Sequence, residues 1–223
     1  ANMYQPLKIL LTHRNASVRA KACNLVGNLC RNSPYFYPEI KKHNLLPALI
    51  QCCADSDSSV RTFAVVATGN AGFHSSYLYA ELEPAVCVLE ERLHDAVSGK
   101  MRANAAGALG NLVRNGGQLM RTVVNAGVID ALLQLALNDK SLEARRISLF
   151  SLGNILKSEL GRRAALRPEL RLVTLLEAMA NSATDNRIAR NFKRIQRILR
   201  EPAQTQSAND SIHCTIDPEK RDR

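Results

Sequence analysis

The sequence predicts an all-α solenoid, a right-handed superhelix of stacked helical repeats, and three observations carry that expectation. The dipeptide Gly-Asn occurs at Gly27-Asn28, Gly69-Asn70, Gly110-Asn111 and Gly153-Asn154, at spacings of 42, 41 and 43 residues. Eight positions before each glycine stands an arginine, Arg19, Arg61, Arg102 or Arg145, followed three residues later by Ala22, Ala64, Ala105 or Ser148. A frame of this length without alternating strand patterns marks units that bury their apolar faces only against their neighbours. The composition agrees: 46% hydrophobic residues, 4% aromatics and no Trp suit thin layers of Leu, Val, Ile and Ala.

The clearest unit lies in the middle of the chain. In "KMRANAAGALGNLVRN", from Lys100 to Asn115, the residues Met101, Ala105, Ala108, Leu109 and Leu112 recur at helical spacing, and Gly116-Gly117 ends the run. From Gln118 to Asp139 the pattern is a short helix, a break at Asn125-Ala126-Gly127, and a second amphipathic helix from about Ile129 to Leu137; the next long helix begins near Ser141. A short, a medium and a long helix in about 42 residues is the armadillo pattern, where two helices would be the related HEAT type. The frame then divides the chain into a partial first repeat at 1–33 lacking its short first helix, full repeats at 34–75, 76–116 and 117–158, and a degenerate cap at 159–201. In that cap Arg187 keeps the arginine register, but Ile195-Gln196 replaces Gly-Asn. The polar segment 202–223 is expected to be disordered. The chain opens with Ala rather than Met, in what reads as the middle of a repeat, so it is expected to be a piece of a longer protein.

A net charge of +10 makes an acidic partner plausible, whether nucleic acid, anionic lipid or an acidic protein surface. The six cysteines show neither CxxC nor Cys/His zinc spacing and read as buried or incidental thiols of a reduced, cytoplasmic compartment. No metal, cofactor or small-molecule substrate is expected. No apolar run reaches the roughly 18 residues of a membrane span.

Glycine inside a helix costs about 1 kcal/mol relative to alanine, so its recurrence implies close approach of a neighbouring helix. The asparagines Asn28, Asn70, Asn111 and Asn154 share a helical face with the residues seven and four before and three after them. Those positions hold Lys21, Asn24 and Arg31, then Phe63, Val66 and Phe73, then Asn104, Gly107 and Arg114, then Ile147, Phe150 and Lys157. An amide offers both donor and acceptor, so a ladder of asparagines can bind the backbone of an extended peptide whatever its side chains. The alternative is that each Asn bonds a loop of its own or the adjacent repeat. The register arginines fall on the opposite face and are expected to pair with acids such as Asp55 or Asp57.

From Asn186 to Arg200, "NRIARNFKRIQRILR" carries Arg187, Arg190, Lys193, Arg194, Arg197 and Arg200 and no acid, with Ile188, Phe192, Ile195 and Leu199 opposite. This helix is either a solvated outer face on the cap or an electrostatic dock for tubulin tails, RNA or anionic lipid. Catalysis is not expected. His13-Arg14-Asn15 is no HRD motif, no Gly-rich phosphate loop or DFG is present, and His13, His43, His74, His94 and His213 have no paired carboxylate, cysteine or metal-ligand spacing.

The phrases "KMRANAAGALGNLVRN", "NSPYFYPEI" from Asn32 and "CCADSDSSVRTFAVVATGNAGFHSSYLYAEL" from Cys52 resemble the C-terminal armadillo repeats of Fused-type serine/threonine kinases, with good coverage from about residue 15 to 158. The resemblance implies a longer parent with an N-terminal kinase domain and a C-terminal docking platform. It also implies kinesin-like, cytoskeletal or signalling partners, and a role at the cytoskeleton or cilium. Importin-α, another armadillo protein, pairs each groove Asn with a Trp four residues earlier. Asn24, Val66, Gly107 and Phe150 stand at those positions here, which argues against a nuclear-import receptor.

Overall fold

The long helices set the architecture, and each starts at a side-chain cap placed twelve residues before its glycine. Asn15 accepts the N–H of Ser17 at 2.8 Å, Asp57 those of Ser59 and Val60, Ser98 that of Met101 and Ser141 that of Ala144. Such caps satisfy donors that a helix start leaves open, at about 1 kcal/mol each. In a computed structural model, which describes residues 3–182 and 185–203, these caps begin α2 (Ala16–Asn32), α5 (Ser58–Ala71), α8 (Gly99–Leu112) and α11 (Leu142–Ile155). Asp185 caps α14 (Asn186–Arg200) in the same way.

Shorter helices fill the intervals. α1 (Tyr4–Leu11) precedes α2; α3 (Tyr37–Lys42) and α4 (Leu46–Cys52) precede α5; α6 (Tyr79–Leu82) and α7 (Ala85–Leu93) precede α8. α9 (Met120–Asn125) and α10 (Val128–Asn138) precede α11, and α12 (Glu159–Ala165) and α13 (Leu172–Ser182) precede α14. Between α9 and α10 the chain turns at Gly127, whose φ of +73° a side chain would oppose. The described residues contain no strand.

The long helices pack side by side in the order α2, α5, α8, α11, α14, and each of α4, α7 and α10 backs the long helix that follows it. One continuous core runs through all layers, from Leu7 and Val26 through Leu49, Leu89, Leu109, Leu132 and Leu149 to Phe192 and Ile195, all buried. A leucine buried this completely contributes about 1.5–3 kcal/mol. Cys23, Cys30, Cys52 and Cys53 belong to this core as free thiols, while Cys87 is exposed. Cys214, His213 and all of the expected polar tail beyond residue 203 lie outside the described residues. Among the described residues no helix is long and apolar enough to cross a membrane.

The glycines mark where the layers come closest. A methyl group on Gly27 would lie 3.1 Å from the Ala67 side chain, and one on Gly69 would lie 2.8 Å from the Ala108 backbone. At Gly110 it would meet the Cβ of Ser151 at 2.8 Å. The small residue two positions before the next glycine thus sits on each glycine. The fourth contact breaks this rule, for Gly153 faces the guanidinium of Arg194.

The register arginines bind the loops before the long helices. Arg19 forms a two-pronged pair with Asp55 at 2.7 and 2.8 Å, and Arg102 pairs likewise with Asp139 at 2.6 and 2.9 Å. Arg61 donates to the carbonyls of Asp55 and Ser56, and Arg145 to that of Ala136. Asp57 caps α5 and takes no arginine. Arg187, in register by sequence, is exposed and has no carboxylate partner among the described residues.

Candidate partner-binding site

The Gly-Asn asparagines cross from layer to layer. The side-chain amide of Asn70 donates to the Gly27 carbonyl at 3.0 Å, that of Asn111 to Gly69 at 3.1 Å, and that of Asn154 to Gly110 at 3.0 Å. At the ends of α5 and α8 the N–H groups of Phe73 and Arg114 bond the Asn70 and Asn111 carbonyls, so the asparagine amides reach the Gly69 and Gly110 carbonyls that those N–H groups do not take. The amide nitrogen of the ladder is therefore committed to holding repeats in register. The side-chain oxygens of Asn70 and Asn111 accept no bond among the described residues, and both residues remain partly exposed.

Asn154 departs from the ligand reading made for it. It is buried, and its side-chain oxygen accepts from Arg194 at 2.5 Å, so both ends of the amide are engaged. Asn28 and Asn24 are exposed and make no inter-layer bond among the described residues. Asn104 is half-buried, and its amide nitrogen has no hydrogen-bond partner.

Around the asparagines the face carries apolar and cationic groups. Phe63, Val66 and Phe150 keep 38%, 39% and 38% of their surface exposed, far more than their apolar neighbours in the core. Arg31, Arg114 and Lys157 are exposed at the C-terminal ends of α2, α8 and α11, where the helix dipole favours a cation. The Arg114 guanidinium lies 4.4 Å over the ring of half-buried Phe73.

Two features of this face escaped the reading of the sequence. Tyr37 and Tyr79, each nine residues after a Gly-Asn asparagine, are buried and donate to the Asn70 and Asn111 carbonyls at 3.0 and 2.9 Å. The 42-residue spacing of the two tyrosines was the available signal. His74 bonds the Arg31 carbonyl at 2.8 Å through Nε2, and Asn115 bonds the Gly72 and Phe73 carbonyls at 3.1 and 2.9 Å. Side chains of the following repeat thus occupy carbonyls left open where a long helix ends.

The basic helix also differs from expectation. Ile188, Phe192, Ile195 and Ile198 are buried, with Leu199 only partly so. Arg187, Arg190, Lys193, Arg197 and Arg200 are exposed, but Arg194 is not part of an outer face. It turns toward α11, lies 4.5 Å over the Phe150 ring, and donates to the Phe150 carbonyl at 2.9 Å as well as to Asn154. The packing at Gly153 explains this: without a side chain there, the space holds a guanidinium. The Asn face and the basic helix, read separately in the sequence, meet at Arg194.

At this junction Arg114, Lys157, Arg194 and Arg197 crowd together. Burial and the neighbouring Arg194, Arg114 and Arg197 push the Lys157 ammonium below its ordinary pKa, with Glu201 acting the other way. Burial also lowers Arg194, with Arg197 and Arg114 adding to the effect. An open hollow here is lined by Lys157, Arg162, Arg194, Arg197, Ile198, Glu201 and Pro202.

Known proteins share this organisation. A family model of HEAT repeats matches residues 5–110. The chain is 41% identical over 167 residues to Serine/threonine-protein kinase TIO of Arabidopsis thaliana, an alignment covering 70% of this chain and 13% of that protein. It is 31% identical over 153 residues to Serine/threonine-protein kinase 36 of Mus musculus, covering 68% of this chain and 11% of that one. Among solved structures it resembles a designed armadillo repeat protein in complex with the peptide (KR)4, with a TM-score of 0.78, 20% identity and coverage of 87% and 80% of the two chains. An engineered protein gives a TM-score of 0.82 at 20% identity, covering 92% and 82%. Stacked helical layers and these matches define an α-solenoid of the armadillo/HEAT type. Within that class the chain belongs with the repeat region of Fused-type serine/threonine kinases, and it spans only about an eighth of the length of the curated relatives it matches.

Proposed function

We propose that this segment is a non-catalytic interaction platform of a Fused-like kinase. It binds an extended or helical segment of a protein partner along the face formed by Asn24, Asn28, Asn70, Asn104 and Asn111 with Arg31, Phe73, Arg114 and Lys157. The observation that carries this reading is the exposure of Phe63, Val66 and Phe150 on the same face as the open side-chain oxygens of Asn70 and Asn111. Apolar groups give a partner surface to bury, and fixed amides give its backbone hydrogen bonds. One solved neighbour is complexed with a basic peptide; the cations along the present face select against that class of ligand here.

In this reading the partner is a cytoskeletal or signalling protein, kinesin-like motors included, met in the cytoplasm or at the cytoskeleton or cilium. Co-precipitation of candidate motors with the chain tests this, comparing it with Phe63→Ser combined with Val66→Ser. Reduced binding with an unchanged melting temperature supports the reading, and equal binding of the two forms rejects it. A second reading rests on the exposed row Arg187, Arg190, Lys193, Arg197 and Arg200, which suits an electrostatic adaptor for a microtubule, RNA or anionic lipid. Reversal of Arg190, Lys193 and Arg197 to Glu would then abolish binding with a steep salt dependence, and no change would reject it.

A further inference from the structure

The cations at the junction of α11 and α14 are fixed in place without being neutralised. Arg114 is held against Phe73 by stacking. Arg194 is held against Phe150 and by the Phe150 carbonyl and the Asn154 amide oxygen, all of them uncharged. Neither these two nor Lys157 has a carboxylate partner among the described residues. Arg197 reaches Glu201 only at 3.7 Å, with both side chains largely exposed. On the opposite side of the layers Arg19 and Arg102 have two-pronged carboxylate partners. The fold therefore neutralises Arg19 and Arg102 with carboxylates, whereas the four cations at this junction face only Glu201 and keep an excess of preorganised positive charge. Burial first, and then the crowding of like charges, lowers Lys157 and Arg194, and an arriving anion relieves the second of these.

We propose that the hollow bounded by Lys157, Arg194 and Arg197, with Arg114 beside it, is an end pocket of the binding face that takes the Asp or Glu side chains of an acidic peptide segment in a protein partner. The inference rests on the reading of the Asn face as a docking surface and specifies the chemistry of what docks. The Arg114 guanidinium, stacked on Phe73 with its edges free of hydrogen bonds among the described residues, presents paired N–H donors in the fork geometry that a carboxylate accepts, and Arg194 adds the N–H groups that Phe150 and Asn154 do not take. The continuity of Arg194 with Asn154 and Phe150 places this pocket at the end of the stripe. The acidic stretch therefore belongs at one end of the bound segment, with its apolar residues toward Phe63 and Val66. Single-stranded nucleic acid suits the pocket poorly, because arginines already cover the faces of Phe73 and Phe150 on which bases would stack. A lipid surface would engage the outer row Arg190, Lys193 and Arg200, leaving half-buried Arg194 unused.

Fluorescence anisotropy of the 223-residue chain with a labelled Glu-Ser repeat peptide and its Gln-Ser counterpart tests this. The Glu peptide is expected to bind at least about tenfold more tightly than the Gln peptide, and Lys157→Gln with Arg197→Gln to remove about that factor. Arg190→Gln with Lys193→Gln and Arg200→Gln is expected to change affinity by less than about threefold. All five residues are exposed, so the fold survives, and Arg114→Gln serves as an independent pocket variant. Equal binding of both peptides overturns the proposal, as does a loss in the outer variant matching that in the pocket variant. Tighter binding of an oligonucleotide or of phosphatidylserine vesicles that depends on Lys157 and Arg197 also overturns it. Failure here with a retained effect of Phe63→Ser and Val66→Ser on partner binding would reject the pocket alone and leave the docking face standing.

Discussion

The amide nitrogen of Asn70 lies 3.0 Å from the carbonyl oxygen of Gly27, one repeat earlier in the chain. The same bond recurs from Asn111 to Gly69 and from Asn154 to Gly110. It ties the residue expected to serve ligands to the residue expected to serve packing, and the two halves of Gly-Asn act as one inter-layer joint.

Asn70→Ala with Asn111→Ala removes two such joints. Each net hydrogen bond contributes about 0.5–1.5 kcal/mol, so the double variant should lose about 1–3 kcal/mol in urea unfolding. A pure ligand role for these asparagines would leave stability nearly unchanged. An unchanged midpoint would show that these bonds carry no net weight.

Gly69→Ala tests the contact between layers. Alanine gains about 1 kcal/mol of helix propensity, but its methyl would meet the Ala108 backbone, and overpacking of that kind costs about 1–3 kcal/mol. A net loss of stability is expected. Gly153→Ala meets only the far end of the Arg194 side chain, so its effect on stability should be smaller, with Arg194 displaced from Asn154. A gain of stability at Gly69 would remove the packing argument.

Tyr37→Phe and Tyr79→Phe each delete a hydroxyl while keeping the ring. Each should cost about 1–2 kcal/mol, because the hydroxyl links a helix-end carbonyl to the N–H of His74 or Asn115. Hydrogen exchange at those two amides should accelerate before that of the core.

Acid should weaken the chain through Asp55 and Asp139. Their hydrogen bonds from Arg19 and Arg102, respectively, hold both carboxyls below the usual range. A depressed folded value means that the unfolded chain takes up protons first. This stabilisation is therefore complete above the ordinary value of about 3.9 and is lost as pH falls through the lower folded value. Urea midpoints measured from about pH 6 down to pH 2 should drop most steeply below about pH 4, and Asp139→Asn should flatten that drop. A slope unaffected by Asp139→Asn would place the acid sensitivity elsewhere.

Legibility in the sequence followed periodicity. Met101, Ala105, Leu109 and Leu112 recur at helical spacing, and all are buried in α8. The break at Asn125-Ala126-Gly127 is where the chain turns between α9 and α10. The N-caps Asn15, Asp57, Ser98 and Ser141 stand in the same frame and could have been read from it. Arg194 could not. Its helix offers both an outer row and a flank toward α11, and only the empty space at Gly153 draws the guanidinium inward.

By itself, the sequence determined that this protein is a stack of helical layers, because a repeat near 42 residues with apolar helical spacing has no other way to bury its faces. It also determined which residues share the long-helix face, because helical periodicity alone decides that. The tertiary structure decided what those residues do. An asparagine amide nitrogen can turn to a ligand or to a neighbouring carbonyl with equal chemistry, and the approach of the next layer settles the choice for the nitrogens of Asn70, Asn111 and Asn154. In the same way, packing against Gly153 made Arg194 part of the Asn face rather than of the outer helix surface.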